Sequence, residues 1–407
     1  MSGTSPDDER MLTRGLRRAR TALSVAAAAV ALAACANTFD KLGGGTPVPQ
    51  ATEQPPAGMI GAGQIRVGLI LPLSAPGNAG LAATSMKNAA EMALAEFKEP
   101  NIQLLVKDDA GTPQGAQLAA QQAIDEGAEI IIGPLFAQSV SAVGGVARTR
   151  NIPVIAFSTD ASVAARGVYL LSFLPESDVK RIVDYAISKG KRSFAALLPD
   201  NAYGAVVEAA FQQEVARRGG RVLVLEKYPL DPGKMAEPIG RVAQAASKVD
   251  SIFIPDGADA VPQVVQSLSA NGVNIKRVQL LGTGIWADDP RIFSTASLDG
   301  GLYTAPEPAG FRSFSGRYRA RYGQEPVRTA TLAYDAVALV AALVKQQAAP
   351  QRFSEQILTV ASGFAGIDGI FRFRTDGTNE RGLAVLRVAP SGGQVVSPAP
   401  RSFQSGT

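Results

Sequence analysis

The chain has 407 residues, of which 46% are hydrophobic and 19% charged, with a formal net charge of +4. That balance describes a globular protein with a large core, and the length suggests two or three domains. Histidine is absent and cysteine occurs once, at Cys35, which excludes His-dependent catalytic triads, imidazole zinc sites and any disulfide within the chain.

In chain order, Arg14, Arg17, Arg18 and Arg20 precede an apolar run over 21–34. The run is too short to span a bilayer as a permanent helix and has the layout of a signal peptide over 1–34. Its end, Leu32-Ala33-Ala34-Cys35, resembles a bacterial lipobox. The resemblance implies that Cys35 becomes the lipidated N-terminus of a protein held to a membrane of the cell envelope; a plain signal peptide with an incidental cysteine is the alternative. Five of the 40 basic and three of the 36 acidic residues lie in 1–34, which leaves 35 against 33. Such a balance carries no nucleic-acid footprint. Residues 35–63, rich in Gly, Pro, Thr and Gln, read as a disordered tether.

From residue 65 short apolar runs alternate with helical patterns. Strands are expected at 65–71, 102–107, 129–133, 153–157 and 168–173, and helices at 82–97, 114–126 and 138–150. The pattern then restarts, with strands at 193–198, 221–227, 251–255 and 278–282 and helices at 203–218, 234–246 and 259–271. Strands apolar on both faces and separated by helices indicate βαβ units around parallel sheets. A strand at 302–305 and helices at 312–322 and 330–347 follow, with a possible helix at 353–361. Runs at 369–374 and 383–388, around a turn at Asp376-Gly377, read as an antiparallel hairpin. Residues 391–407 read as a flexible tail.

Seven segments in order resemble the type I periplasmic solute-binding fold, in its leucine/isoleucine/valine-binding branch: IRVGLILPLS, KDDAGTPQGAQLAAQQAI, IIIGPLFAQSVSAV, IPVIAFST, LLPDNAYGAVVEAAF, AYDAVALVAALV and GIDGIFRFRTDG. The resemblance implies an α/β fold of two Rossmann-like lobes, with parallel sheets covered by helices, joined by a three-strand hinge. It assigns 64–174 plus 306–360 to the first lobe and 175–305 plus 361–390 to the second. The crossings are expected near 173–177, 304–306 and 361–368.

In open α/β sheets ligands lie beyond the carboxyl ends of the strands. Ser74, Phe136, Ala137, Gln138, Ser158 and Thr159 stand there in the first lobe, and Tyr203, Asp256 and Trp286 in the second. The Gly133-Pro134 turn opens a helix whose dipole favours an anionic group. Tyr203 matches a family aromatic that closes over the ligand. Trp286 could stack on a ligand or fill the lobe, and Asp259 could cap a helix. Asp108 and Asp109 read as residues that cap and orient a loop. Two departures weaken free branched-chain amino acids as ligands. Alanine stands near 137 where the family has a carboxylate-binding serine, and 282–286 carries no acid to hold an ammonium; Asp160, Asp256 or Asp259 could substitute.

The implied function is a lipid-anchored periplasmic receptor that holds a small polar ligand, amino-acid-like or a short peptide or amide, for an ABC permease. The alternative is a penicillin-binding protein activator that contacts a peptidoglycan synthase. Enzyme activity is not expected. The GxGxxA spacing at 281–287 runs into Asp288-Asp289-Pro290 instead of a helix, and no Walker-type loop occurs. No catalytic residue, metal or cofactor is assigned.

Overall fold

The computed structural model describes residues 58–287 and 289–403. The signal, Cys35 and the tether up to residue 57 lie outside the described residues. Among the described residues no helix is long and apolar enough to cross a membrane.

The first lobe runs β1 (Met59–Ile60), β2 (Ile65–Leu71), α1 (Asn78–Glu96), β3 (Ile102–Asp108), α2 (Pro113–Asp125), β4 (Ile130–Ile132), α3 (Ala137–Thr149), β5 (Val154–Ala156) and β6 (Val168–Leu170). Its sheet has the order β1-β3-β2-β4-β5-β6, all parallel except β1. The all-Ile β4 is buried on both faces because helices cover both. α2 and α3 pack on one face around Ala120, Val140 and Val143. α1 packs on the other around Met86 and Ala90.

The second lobe begins with α4 (Pro175–Ser188), which the sequence reading missed, and continues through β7 (Ser193–Pro199), α5 (Ala202–Arg217), β8 (Arg221–Tyr228), α6 (Pro232–Ala245), β9 (Ser251–Phe253), α7 (Val261–Ala270), β10 (Gln279–Leu281), the short α8 (Pro290–Ser294) and β11 (Leu302–Ala305). The chain returns to the first lobe as α9 (Pro308–Tyr322) and α10 (Ala330–Gln346), followed by the single turn α11 (Glu355–Leu358). Leu332, Val337 and Val340 of α10 join the core under α1, and Phe314 and Tyr318 of α9 pack on Ala89 and Met92.

The remainder departs from the expected hairpin. β12 (Phe364–Gly366), β13 (Gly369–Phe373) and β14 (Asn379–Arg381) form a separate antiparallel sheet. Phe371 and Phe373, two residues apart, point to one face and are buried in the first lobe's core, with Phe373 5.4 Å from the Tyr169 ring. The expected hairpin partner, β15 (Ala384–Ala389), instead pairs antiparallel with β11. The third crossing therefore lies at 381–384, not at 361–368. The residues read as a tail contain β16 (Gly392–Ser397), which pairs with β15. At the other end, Met59–Ile60, read as tether, pairs with β3. The second sheet has the order β16-β15-β11-β10-β9-β7-β8, with α6 and α7 on one face and α4 and α5 on the other.

Both sheets place their second parallel strand outside the first, so strand order reverses between β2 and β4 and again between β7 and β9. These are the switch points at which a doubly wound sheet leaves a crevice beyond its carboxyl edge.

Candidate functional site

The two helices that open at the first switch point are α1 and α3. Neither has a side-chain cap, and neither has an acid in its first turn. By contrast Thr112 caps α2 and Asn201 caps α5. Uncapped first-turn amides, with the helix dipole, favour an anion at that place. The turn into α3 depends on Gly133, whose φ is +94° and where a Cβ would stand 2.0 Å from the Ile70 carbonyl oxygen. Gly133→Ala is expected to cost at least about 1 kcal/mol in thermal unfolding; an unchanged melting curve would show that the turn relaxes freely.

Ser74, Phe136 and Gln138 are exposed along this edge, and Ala137 is half-buried. Phe136, 38% exposed, lies over the β3–α2 loop; a Cβ on Gly111 would sit 3.4 Å from both its ring and Ala75. Asp108 Oδ1 accepts from the Ser74 and Ala110 amides. Burial works to raise its pKa, but the bonds from Ser74 and Ala110 outweigh it and hold the carboxyl below its ordinary value. Burial raises Asp109, which accepts from the Gly111 amide. Both aspartates thus shape the loop. Ser158 is buried and its hydroxyl accepts from the Asp160 amide, while Thr159 is exposed. Ser139, absent from the sequence-based set, is buried in the first turn of α3, and its hydroxyl has no partner among the described residues.

In the second lobe Tyr203 is half-buried at the start of α5, and its hydroxyl hydrogen-bonds Thr283 at 2.9 Å. Burial pushes its pKa up. Asp256 is committed to the fold, since its oxygens accept from the Tyr228 hydroxyl at 2.8 Å and the Gly257 amide at 2.7 Å. Asp259 pairs with Arg291 on the surface, and Asp160 caps its own turn.

Trp286 requires a correction. It is 0% exposed, its indole N–H donates to the Ile254 carbonyl at 3.1 Å, and a Cβ on Gly282 would fall 2.2 Å from its ring. It fills the second core and does not reach a ligand in the cleft. Its neighbour Ile285 is the residue that faces outward.

Sequence reasoning also missed an acid. Asp178, in the first turn of α4, accepts from the Gly284 amide at 3.2 Å and the Thr304 hydroxyl at 2.7 Å. A carboxylate therefore stands against the 282–286 segment, supplied by another element. With Tyr203, Gly284 and Ile285 it lines a cavity of about 590 Å³ beside the crossings. The cavity falls within the usual size range for small-molecule sites. An acid-rich first turn behind Pro175, ahead of the apolar spacing Val179, Ile182, Val183, Ala186, was the signal for α4 and hence for Asp178.

The periplasmic binding protein family model matches residues 64–394. A Leu/Ile/Val-binding protein homolog from Brucella melitensis is 22% identical over 229 residues, 54% of this chain and 58% of that protein, so the chain spans less than two thirds of the relative's length. The penicillin-binding protein activator LpoA of Pantoea ananatis is 24% identical over 180 residues, 44% of this chain and 25% of that protein. In fold the chain resembles the crystal structure of a putative branched-chain amino acid ABC transporter protein from Rhodospirillum rubrum. The TM-score is 0.72 at 18% identity, covering 82% of this chain and 99% of the other.

Proposed function

This chain belongs to the periplasmic binding protein family, and we propose that it is the lipid-anchored receptor of an ABC importer for a small amino-acid-like carboxylate. The observation that carries the reading is the pair of uncapped helices, α1 and α3, at the first switch point. Their amides suit a carboxylate. Across the second switch point Tyr203 presents its hydroxyl, held in place by buried Thr283, and Asp178 lies at the strand end where an ammonium needs a counter-charge. The lobes close on the solute by bending at the crossings. A lipidated Cys35 and the tether behind it then hold the body at the membrane near its permease.

A thermal-shift screen of residues 58–407 against amino acids, short peptides, amides and small carboxylates tests this. A ligand at a hundred times its dissociation constant adds roughly 2.7 kcal/mol. Tyr203→Phe is expected to weaken the hit by about 0.5–1.5 kcal/mol in calorimetry, with a melting shift too small to account for it. Silence across the screen, with a peptidoglycan synthase retained in a pull-down, would replace the receptor by the regulator that the LpoA match favours.

A further inference from the structure

The chain passes between the lobes at three crossings and then meets those crossings once more. After β16, the edge strand of the second sheet, residues 398–403 leave the sheet and run over the hinge. Arg181 of α4 fixes their start to the second lobe. Its Nε donates to the carbonyl of Leu383, at the third crossing, at 2.8 Å. Its Nη2 donates to the Ser397 hydroxyl at 2.7 Å and the Pro398 carbonyl at 3.3 Å. One guanidinium thus clasps the crossing and the segment together.

The rest of the segment is held from the first lobe's side. The Ala399 amide donates to Oε1 of Glu307 at 3.0 Å, and Glu307 is the residue from which α9 re-enters the first lobe. Pro400 lies against the third crossing, where a Cβ on Gly382 would stand 3.2 Å from its ring. Phe403 is 4.6 Å from the guanidinium carbon of Arg372, and a Cβ on Gly363 would stand 2.9 Å from its ring. Arg372 belongs to β13, whose Phe371 and Phe373 are buried in the first lobe's core, and Gly363 precedes β12 of the same sheet. Pro398 and Pro400 each fix φ and so stiffen the segment. It lies beyond residue 394, where the match to the family ends.

We propose that residues 398–403 are a strap across the hinge, a fourth link that restrains how far the lobes turn about the three crossings, with Phe403 as its latch. A half-buried ring over a guanidinium shifts a population by about two- to fivefold. Such a latch biases the hinge towards one arrangement and still releases when the lobes are drawn together. The strap acts with or without a ligand, so it stands apart from the solute reading.

Spin labels at Leu118→Cys of α2 and Leu230→Cys before α6, both exposed and one on each lobe, report the distance between the lobes. They are placed in the full chain carrying Cys35→Ser, and the distance distribution is read by double electron–electron resonance with no solute added. With the strap unaltered a single narrow distribution is expected. Phe403→Ala should raise the population outside that range about two- to fivefold, and a chain ending at Ser397 should raise it further. Phe403→Tyr keeps a ring over Arg372 and should retain the narrow distribution. A distribution from the unaltered strap as wide as that of the shortened chain, or equal broadening in Phe403→Tyr and Phe403→Ala, would overturn the proposal.

Discussion

Replacing Trp286 with alanine is expected to lower the unfolding free energy by about 3–5 kcal/mol. The indole is fully buried among Ile254, Leu298 and Tyr303, with its N–H bonded to a carbonyl. Its removal leaves a cavity and an acceptor without a donor. Because Gly282 and Gly301 are shaped around the ring, the backbone there has no side chain with which to fill the gap. Urea denaturation of the variant checks the loss. A loss under about 1 kcal/mol together with a sharp fall in solute affinity would return Trp286 to the ligand site.

The second large effect concerns Asp335 of α10. It is 3% exposed, Oδ1 accepts from the Ile367 amide, and Oδ2 has no partner among the described residues. Burial pushes its pKa up to about 7, the Ile367 bond and Arg381 and Arg328 opposing, with Asp368 adding to the rise. The folded-state value lies above the ordinary 3.8, so the protonated form stabilises the fold. That contribution is fully present below about pH 3.8 and is lost as pH rises through about 7. The rise from 3.8 to about 7 corresponds to about 4 kcal/mol. Asp335→Asn keeps an acceptor for Ile367 and does not titrate. The variant is expected to match the wild type near pH 4 and to exceed it in stability at pH 8. Parallel pH profiles for the two proteins would show that Asp335 is ionised in the fold throughout.

These two residues mark different limits of reading a chain without its fold. Trp286 stood at a strand end, where either stacking on a ligand or packing fits the sequence. Only the close approach of Gly282, Gly301 and Tyr303 decides for packing. Asp335 sat inside a helical pattern as one polar residue on an apolar stripe, and nothing in the spacing foretold its burial beside two arginines. The strand ends along both carboxyl edges were legible. Gly133, Phe136 and Tyr203 are placed by the alternation of strand and helix, which is local. Asp178 was missed because α4 was missed, although its apolar spacing was present. The burial of Arg381 was not foreseeable, since it stands at a crossing that the sequence reading placed elsewhere.

The α/β class and the two repeats of βαβ units follow from the chain's own pattern of strand and helix. Period and apolarity are local properties, and parallel strands buried on both faces require helices over both. The tertiary structure decided which lobe owns 364–373, where the third crossing falls, and which charged groups meet there. Phe371 and Phe373 fit either core by composition, and their assignment follows from packing against Tyr169, about 200 residues away in the chain. Burial and charge pairing of that kind depend on distant segments meeting, and no window along the chain contains both partners.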